Sequence, residues 1–236
     1  MLNMLQNGVL SGVVFPSVTL AAALAVLISL VVPYLLGSIN SAVLISRLFY
    51  GADIRTQGSG NGGLTNMLRV YGKKAALFVL LGDMLKTALS LLFVAIFYGF
   101  QYGKFAFACN SLLYVAGTFC IIGHIFPAYF KFKGGKGVLC TATMVLILSP
   151  IVFAVLFAVF LLLLVVTHYV SLSSITVGLL YPFALNRIMA LFGIVSGGLI
   201  ILLTVLIGLL IFYCHRENIV RLKERRENRF YFRKKK

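Results

Sequence analysis

Polar positions are the minority along this chain, and they gather in a few short clusters. Between them run apolar stretches that we place at residues 19–47, 75–97, 105–127, 138–148, 152–167, 175–187 and 194–214. A helix needs roughly 20 apolar residues to cross a bilayer, and strands of that length do not occur in small domains. The pattern predicts an all-α fold, a polytopic integral membrane bundle of about seven transmembrane helices. The fourth and sixth stretches are short, which allows a core helix or an interrupted span at each. Pro33, Gly37 and Ser38 stand late in the first stretch, where the helix is expected to kink or unwind.

Composition supports this class: 61% of the residues are hydrophobic and 11% charged, with a mean hydropathy of +1.05, well above soluble domains. Charge adds an orientation, because cytoplasmic flanks of membrane proteins collect Lys and Arg. Arg47, Arg55, Arg69, Lys73 and Lys74 follow the first stretch, Lys131, Lys133 and Lys136 follow the third, and ten basic residues run from Arg216 to Lys236. The opposite side holds only Lys104 and Arg187. The amino terminus is therefore expected outside, and the carboxyl terminus in the cytoplasm. The first 18 residues carry no charge, so they lack the basic region of a cleavable signal, and the first span is expected to stay as an anchor. The chain reads as a single domain, 1–236, with an extra amino-terminal segment, 1–18, and a basic tail, 215–236. A net charge of +16 reads as positive-inside residues plus a tail drawn to anionic membrane lipid. Nucleic acid is not expected as a partner, since no soluble basic domain is present to bind it. Cys109, Cys120, Cys140 and Cys214 lack C-x-x-C spacing and read as small buried hydrophobes rather than metal ligands or disulfides.

The stretch RTQGSGNGGLTNMLRVYGKK, 55–74, places Gly58, Gly60 and Gly63 at a G-x-G-x-x-G spacing, with Asp83 about twenty residues on. That fingerprint works only between a strand and a helix. Here it lies in a connector between apolar helices, and Asp83 lies inside the next apolar run, so a dinucleotide site is excluded. The connectors GSGNGGLTN, FKGGKG and THYVSLSS and the tail HRENIVRL are all expected on the cytoplasmic side. Glycine-rich turns expose successive backbone N–H groups, and with Lys or Arg nearby such concavities bind phosphate. The loop GHIFPAYFKFKGGKG, 123–137, is not a Walker A motif, because Phe130 and Gly137 occupy positions that need Gly and Ser or Thr. No G-x-S-x-G elbow exists to present a serine nucleophile. His124, His168 and His215 are each followed five residues on by Tyr129, Ser173 and Val220, so a His-x-x-x-x-Asp base is absent too. Asp83 and Lys86, three apart on an apolar helix, are expected to neutralise each other, and His124 to hold its loop by hydrogen bonding.

In order and spacing, YLLGSINSAVLISR, GSGNGGLTNMLRVYGKK, GDMLKTAL, GHIFPAYFKFKGGKGV, HYVSLSSI and HRENIVRL resemble the bacterial acyl-phosphate:glycerol-3-phosphate acyltransferases of the PlsY type. The resemblance covers residues 34–227. It implies a seven-span inner-membrane enzyme that makes lysophosphatidic acid from acyl phosphate and glycerol 3-phosphate, the first step of phospholipid synthesis, with its site facing the cytoplasm. It implies no cofactor and no metal, and a functional coupling to the enzyme that makes acyl phosphate. Lys136, His215 and Asn218 match as catalytic residues. Ser38, Arg47, Ser59, Gly60, Asn61, Thr65, Asn66, Arg69, Gly134, Gly135, Gly137, Ser171, Ser173, Ser174, Arg221 and Glu227 match as the substrate phosphate-binding set, and Gly58 and Gly63 match the family's first loop. His168 stands where an Arg is usual, Thr87 where a Gly is, and Leu139 where an Ala is.

The chemistry agrees. An acyl phosphate is already an activated anhydride, so no covalent intermediate is required. The protein must hold two anions against their repulsion and aim a hydroxyl, with Arg47, Arg69, Lys136, His215 and Arg221 supplying the positive field. The hydroxyl proton goes to a substrate phosphate or to His215. The alternative from another class is a transporter or flippase for an anionic phosphorylated metabolite.

Overall fold

The structure, a computed structural model, describes residues 18–98 and 111–231. The opening segment, Lys104, Cys109, the start of the third apolar stretch and the last five residues lie outside the described residues. The chain separates into two compact units that meet in sequence at Leu148 and Ser149.

The first unit opens with α1, Val18–Gly37, followed after a three-residue break by α2, Ser41–Tyr50. The expected unwinding occurs at 38–40, just past Pro33. Asn40, in extended backbone, caps α2 by accepting from the Val43 N–H at 2.9 Å, a contact that typically stabilises by about 1 kcal/mol. A short 3-10 turn, Ile54–Thr56, interrupts the connector. Helix α3 then spans Leu64–Tyr98 with a break at Gly72, φ 82° and ψ −170°, a conformation essentially reserved for glycine. The connector thus ends earlier than the apolar pattern indicated. Thr65, Asn66 and Arg69 belong to a leading helical segment, because their polarity hides a helix that begins before the hydrocarbon does.

Helix α4, Ser111–Ile125, crosses α1 at backbone contact. A Cβ at Gly37 would fall 2.1 Å from the Cys120 carbonyl oxygen, and one at Gly123 would fall 2.2 Å from that of Tyr34. Small residues give membrane helices this approach. A second 3-10 turn, Ala128–Phe130, leads to the glycine loop and α5, Val138–Leu148, which coincides with the fourth, short apolar stretch.

The second unit contains α6, Pro150–Thr167, α7, Val170–Leu191, α8, Gly198–Cys214, and α9, Arg216–Lys223, with α8 and α9 bent by 54° at His215. Helix α7 corrects the reading of THYVSLSS as a loop and of the sixth stretch as short. Ser173 and Ser174 donate to the carbonyls of Tyr169 at 3.1 Å and Val170 at 2.8 Å. Those i−4 bonds absorb the hydroxyls into a 22-residue helix. Among the described residues, five helices are long and apolar enough to cross a membrane, or six if the bent pair α8–α9 is one span. The protein is an all-helical, multi-pass integral membrane protein.

Candidate active site

Each unit gathers two of the four polar segments. In the first unit the glycine connector and the glycine loop are stitched together by Arg55. Its guanidinium grips Asp53 through Nε and Nη2, at 3.0 and 2.7 Å, while Nη1 donates to the carbonyls of Phe130 and Lys133, both at 2.8 Å. Arg47 shares Asp53 at 2.9 Å, and both guanidiniums lie over the Phe130 ring, 5.7 and 5.9 Å from its centre. Hydrogen bonds from Arg55 hold the Asp53 carboxyl well below the usual carboxylate range, against a contrary push from burial.

Asn66 organises the connector. Its Nδ2 faces the carbonyls of Ile54, Gln57 and Asn61 at 3.2, 2.9 and 3.0 Å, and its Oδ1 accepts from the Ser59 N–H. Asn66 and the Ser59 amide are therefore committed within the loop, while Ser59, Gly60 and Arg69 lie exposed and Asn61 and Thr65 partly so. Ser38 is buried, donating to the Tyr34 carbonyl and accepting from the Ala128 N–H. Asn40 Nδ2 reaches the Gly62 carbonyl at 3.2 Å, and Gly62 lies against Gly134 and Gly135.

The glycine loop departs from the expected phosphate cradle at two atoms. The Gly134 and Gly135 N–H groups donate to the Ile125 and His124 carbonyls, each at 3.1 Å. They satisfy the end of α4 rather than facing a ligand. Gly137, at φ 79°, begins α5 by accepting from the Thr141 N–H. Lys136 thus stands between a loop fixed to α4 and the start of α5, where helix polarity also favours an anion.

Behind this loop lies a buried charge cluster. Lys86 Nζ is 2.9 Å from Asp83 Oδ1, 2.9 Å from His124 Nδ1, and 3.1 and 2.8 Å from the Gly37 and Ile39 carbonyls. Ser41 Oγ donates to Asp83 at 2.9 Å. Asp83, His124 and Cys140 offer ligand atoms within 4.8 Å of one another, but the ammonium of Lys86 already occupies the cation position in front of Asp83 and His124.

In the second unit Glu227 is the hub. Its carboxylate accepts from Ser171 Oγ at 3.1 Å, Asn218 Nδ2 at 2.8 Å and Arg221 Nε at 2.9 Å. Burial raises its proton affinity, and the three donors together bring it below the usual range. The Phe230 N–H donates to the His168 carbonyl at 2.7 Å, tying the tail to the start of α7. His215 is buried at the α8–α9 bend with Nδ1 2.8 Å from the Ile211 carbonyl. A carbonyl only accepts, so Nδ1 carries a proton and Nε2 is the acceptor of the neutral ring.

Asp53 and Asn40 were not singled out from sequence, and Arg55 was counted only toward the orientation. Their signals were slight: an Asp two residues before an Arg, and an Asn before an apolar run.

These helix breaks, lined with Arg, Lys, His and short polar side chains, define a multi-pass membrane protein with two cation-rich polar clusters. The glycerol-3-phosphate acyltransferase family profile matches residues 27–225. A Bacillus cereus glycerol-3-phosphate acyltransferase 2 is 39% identical over 206 residues, 87% of this chain and 95% of that protein. A Mycoplasmopsis synoviae glycerol-3-phosphate acyltransferase is 35% identical, over 85% and 92% of the two chains. The crystal structure of PlsY (YgiH), an integral membrane glycerol 3-phosphate acyltransferase, in its glycerol 3-phosphate form is similar at a TM-score of 0.72 and 35% identity, covering 89% of this chain and 96% of that one. Its lysophosphatidic acid form is similar at 0.70 and 34%. The chain belongs to the glycerol-3-phosphate acyltransferase family of the PlsY type. It is a membrane glycerol-3-phosphate acyltransferase.

Proposed function

We propose that the acyl donor is an acyl phosphate and that the sn-1 hydroxyl of glycerol 3-phosphate attacks its carbonyl carbon. The new ester bond forms as the carbonyl–phosphate bond breaks, giving lysophosphatidic acid and inorganic phosphate. The observation that carries the reading is the gathering of cation-bearing polar segments at helix breaks in each unit, in a sequence without a serine elbow or a His-x-x-x-x-Asp motif. Such a chain suits a donor that arrives activated. Positioning of two reactants supplies up to roughly 7–11 kcal/mol in favourable cases.

Within the first unit, Arg47, Arg69 and Lys136 supply positive charge for phosphate, Lys136 serving the leaving group. The Ser59–Gly60–Asn61 turn and Thr65 contribute donors. Ser38, Asn66, Gly63, Gly134, Gly135 and Gly137 shape the segments. Within the second unit, Arg221 and Asn218, held by Glu227 with Ser171, contact phosphate beside Ser173, Ser174 and His215. The attacking proton passes to a substrate phosphate, whose second pKa is about 6 by analogy with phosphoserine. The His215 tautomer supports a second assignment, with Nε2 as base.

The family match runs through both units, which supports one acyltransferase domain. The seven apolar stretches and the family favour seven spans in a bacterial inner membrane, and the distribution of basic residues supports these segments facing the cytoplasm. A carrier would need unspent polar groups near the midplane, whereas Asp83 and Lys86 satisfy each other. The test is purified protein given glycerol 3-phosphate with acyl phosphate, acyl-CoA or acyl carrier protein donors in turn. Lysophosphatidic acid from acyl phosphate alone is the expected result; equal product from acyl-CoA would refute the donor assignment.

A further inference from the structure

The buried ammonium of Lys86 touches two segments that carry proposed site residues. Its bonds to the Gly37 and Ile39 carbonyls bracket Ser38. Its contact with His124 Nδ1 fixes the ring. An ammonium has only donors, so Nδ1 accepts and the ring proton lies on Nε2. That edge of the ring is packed on the glycine loop: a Cβ at Gly135 would fall 2.1 Å from Nε2 and 2.8 Å from Cε1. The next residue is Lys136. The His124 carbonyl meanwhile accepts from the Gly135 N–H at 3.1 Å, so one residue grips the loop through both ring and backbone.

We propose that Asp83, Lys86 and His124 are positioning residues that set the placement of Lys136 relative to the Ser38 break. In this role Asp83 is the counter-ion that keeps the ammonium in the interior, Lys86 is the junction, and His124 is the arm that bears on the loop. The charges sum to zero, as a buried cluster requires. The two carbonyls that Lys86 reaches are those on either side of Ser38, and the ring it holds turns its other edge to Gly135. The proposal rests on the acyltransferase reading only for where Lys136 acts.

The test compares His124→Leu, which removes the ring acceptor, with His124→Asn, whose amide oxygen can take the place of Nδ1, both in lipid nanodiscs. A misplacement of the order of an ångström costs about a hundredfold in rate. His124→Leu is expected to lose about that factor in kcat, with KM for glycerol 3-phosphate changed less than about threefold. His124→Asn, which restores the acceptor for Lys86 but not the ring edge on Gly135, is expected to recover only part of the loss. An arm independent of activity is trypsin cleavage within 131–136, expected to rise about tenfold in His124→Leu as the loop opens. Cleavage in the tail at Lys223 is the internal control. Should His124→Leu fail to fold, Gly135→Ala probes the same contact from the loop and should show the same two defects. Wild-type loop cleavage and wild-type kcat in a folded His124→Leu or Gly135→Ala protein would overturn the proposal. If the unmodified protein makes no product from acyl phosphate while loop cleavage still responds to His124→Leu, the donor assignment falls and the positioning role stands.

Discussion

Removing the Arg55 guanidinium should release the glycine loop without dissolving the helices. Arg55 Nη1 makes two bonds to the loop, to the Phe130 and Lys133 carbonyls at 2.8 Å, and its side chain is 18% exposed. Hydrogen bonds from charged groups contribute about 1.5–3 kcal/mol, and partial exposure selects the low end. Arg55→Ala then costs the closed loop about 3 kcal/mol, and Arg55→Lys, which can keep one of the two bonds, about half of that. At 1.4 kcal/mol per factor of ten, the open population rises roughly a hundredfold for Ala and tenfold for Lys. The assay is amide hydrogen exchange of the peptide covering 131–137. Its Lys133, Gly134 and Gly135 N–H groups are bonded to Phe130, Ile125 and His124. Where reclosing outruns exchange, the rate tracks the open population. Exchange within about threefold of wild type in a folded Arg55→Ala protein would refute the latch. So would equal acceleration along α5, which would mean global loosening.

Glu227 contributes to stability with a definite sign. Its folded pKa is depressed, so its contribution is complete above the unfolded value of about 4.3 and is lost as pH falls through the folded value. Thermal stability of the second unit should stay level from pH 8 to about 5 and fall below about 4.5, and Glu227→Gln should lower the plateau and flatten that fall. For the proton acceptor, His215→Gln should keep the acidic limb of the saturated rate if substrate phosphate is the base, and lose it if the imidazole is. In a cysteine-free background, cysteines placed at the exposed Ser59 and Lys133 should label from the cytoplasmic side and one at Val195 from outside. External labelling at Lys133 would invert the topology.

The helices were legible where hydrophobicity alone decides. The fourth stretch, 138–148, reappears as α5, and the unwinding after Pro33 falls at Ser38. Boundaries failed where polar residues continue a helix. The serines of α7 bond to their own carbonyls, and Thr65, Asn66 and Arg69 ride a helical turn before the Gly72 break. Residue types at the candidate site were also legible, but the direction of each bond was not. A glycine N–H offered to phosphate and one donated to the end of α4 look the same in sequence. Arg55 escaped because its partners, the Phe130 and Lys133 carbonyls, are backbone atoms far along the chain.

The placement of Asp83 and Lys86 one turn apart on α3 has a consequence for biogenesis. Each charge alone would cost roughly 3 kcal/mol at the centre of an inserting helix, but this helix brings its own counter-ion into the bilayer. The external partners arrive in chain order: the Gly37 and Ile39 carbonyls and the Ser41 hydroxyl, which donates to Asp83, are synthesised before α3, and His124 after it. During translation the ammonium, already paired with Asp83, can meet the carbonyls that flank Ser38 before the ring of His124 is made. The contact with His124 closes only when α4 has entered the membrane, so completion of the cluster records the docking of α4 on α1 and α3.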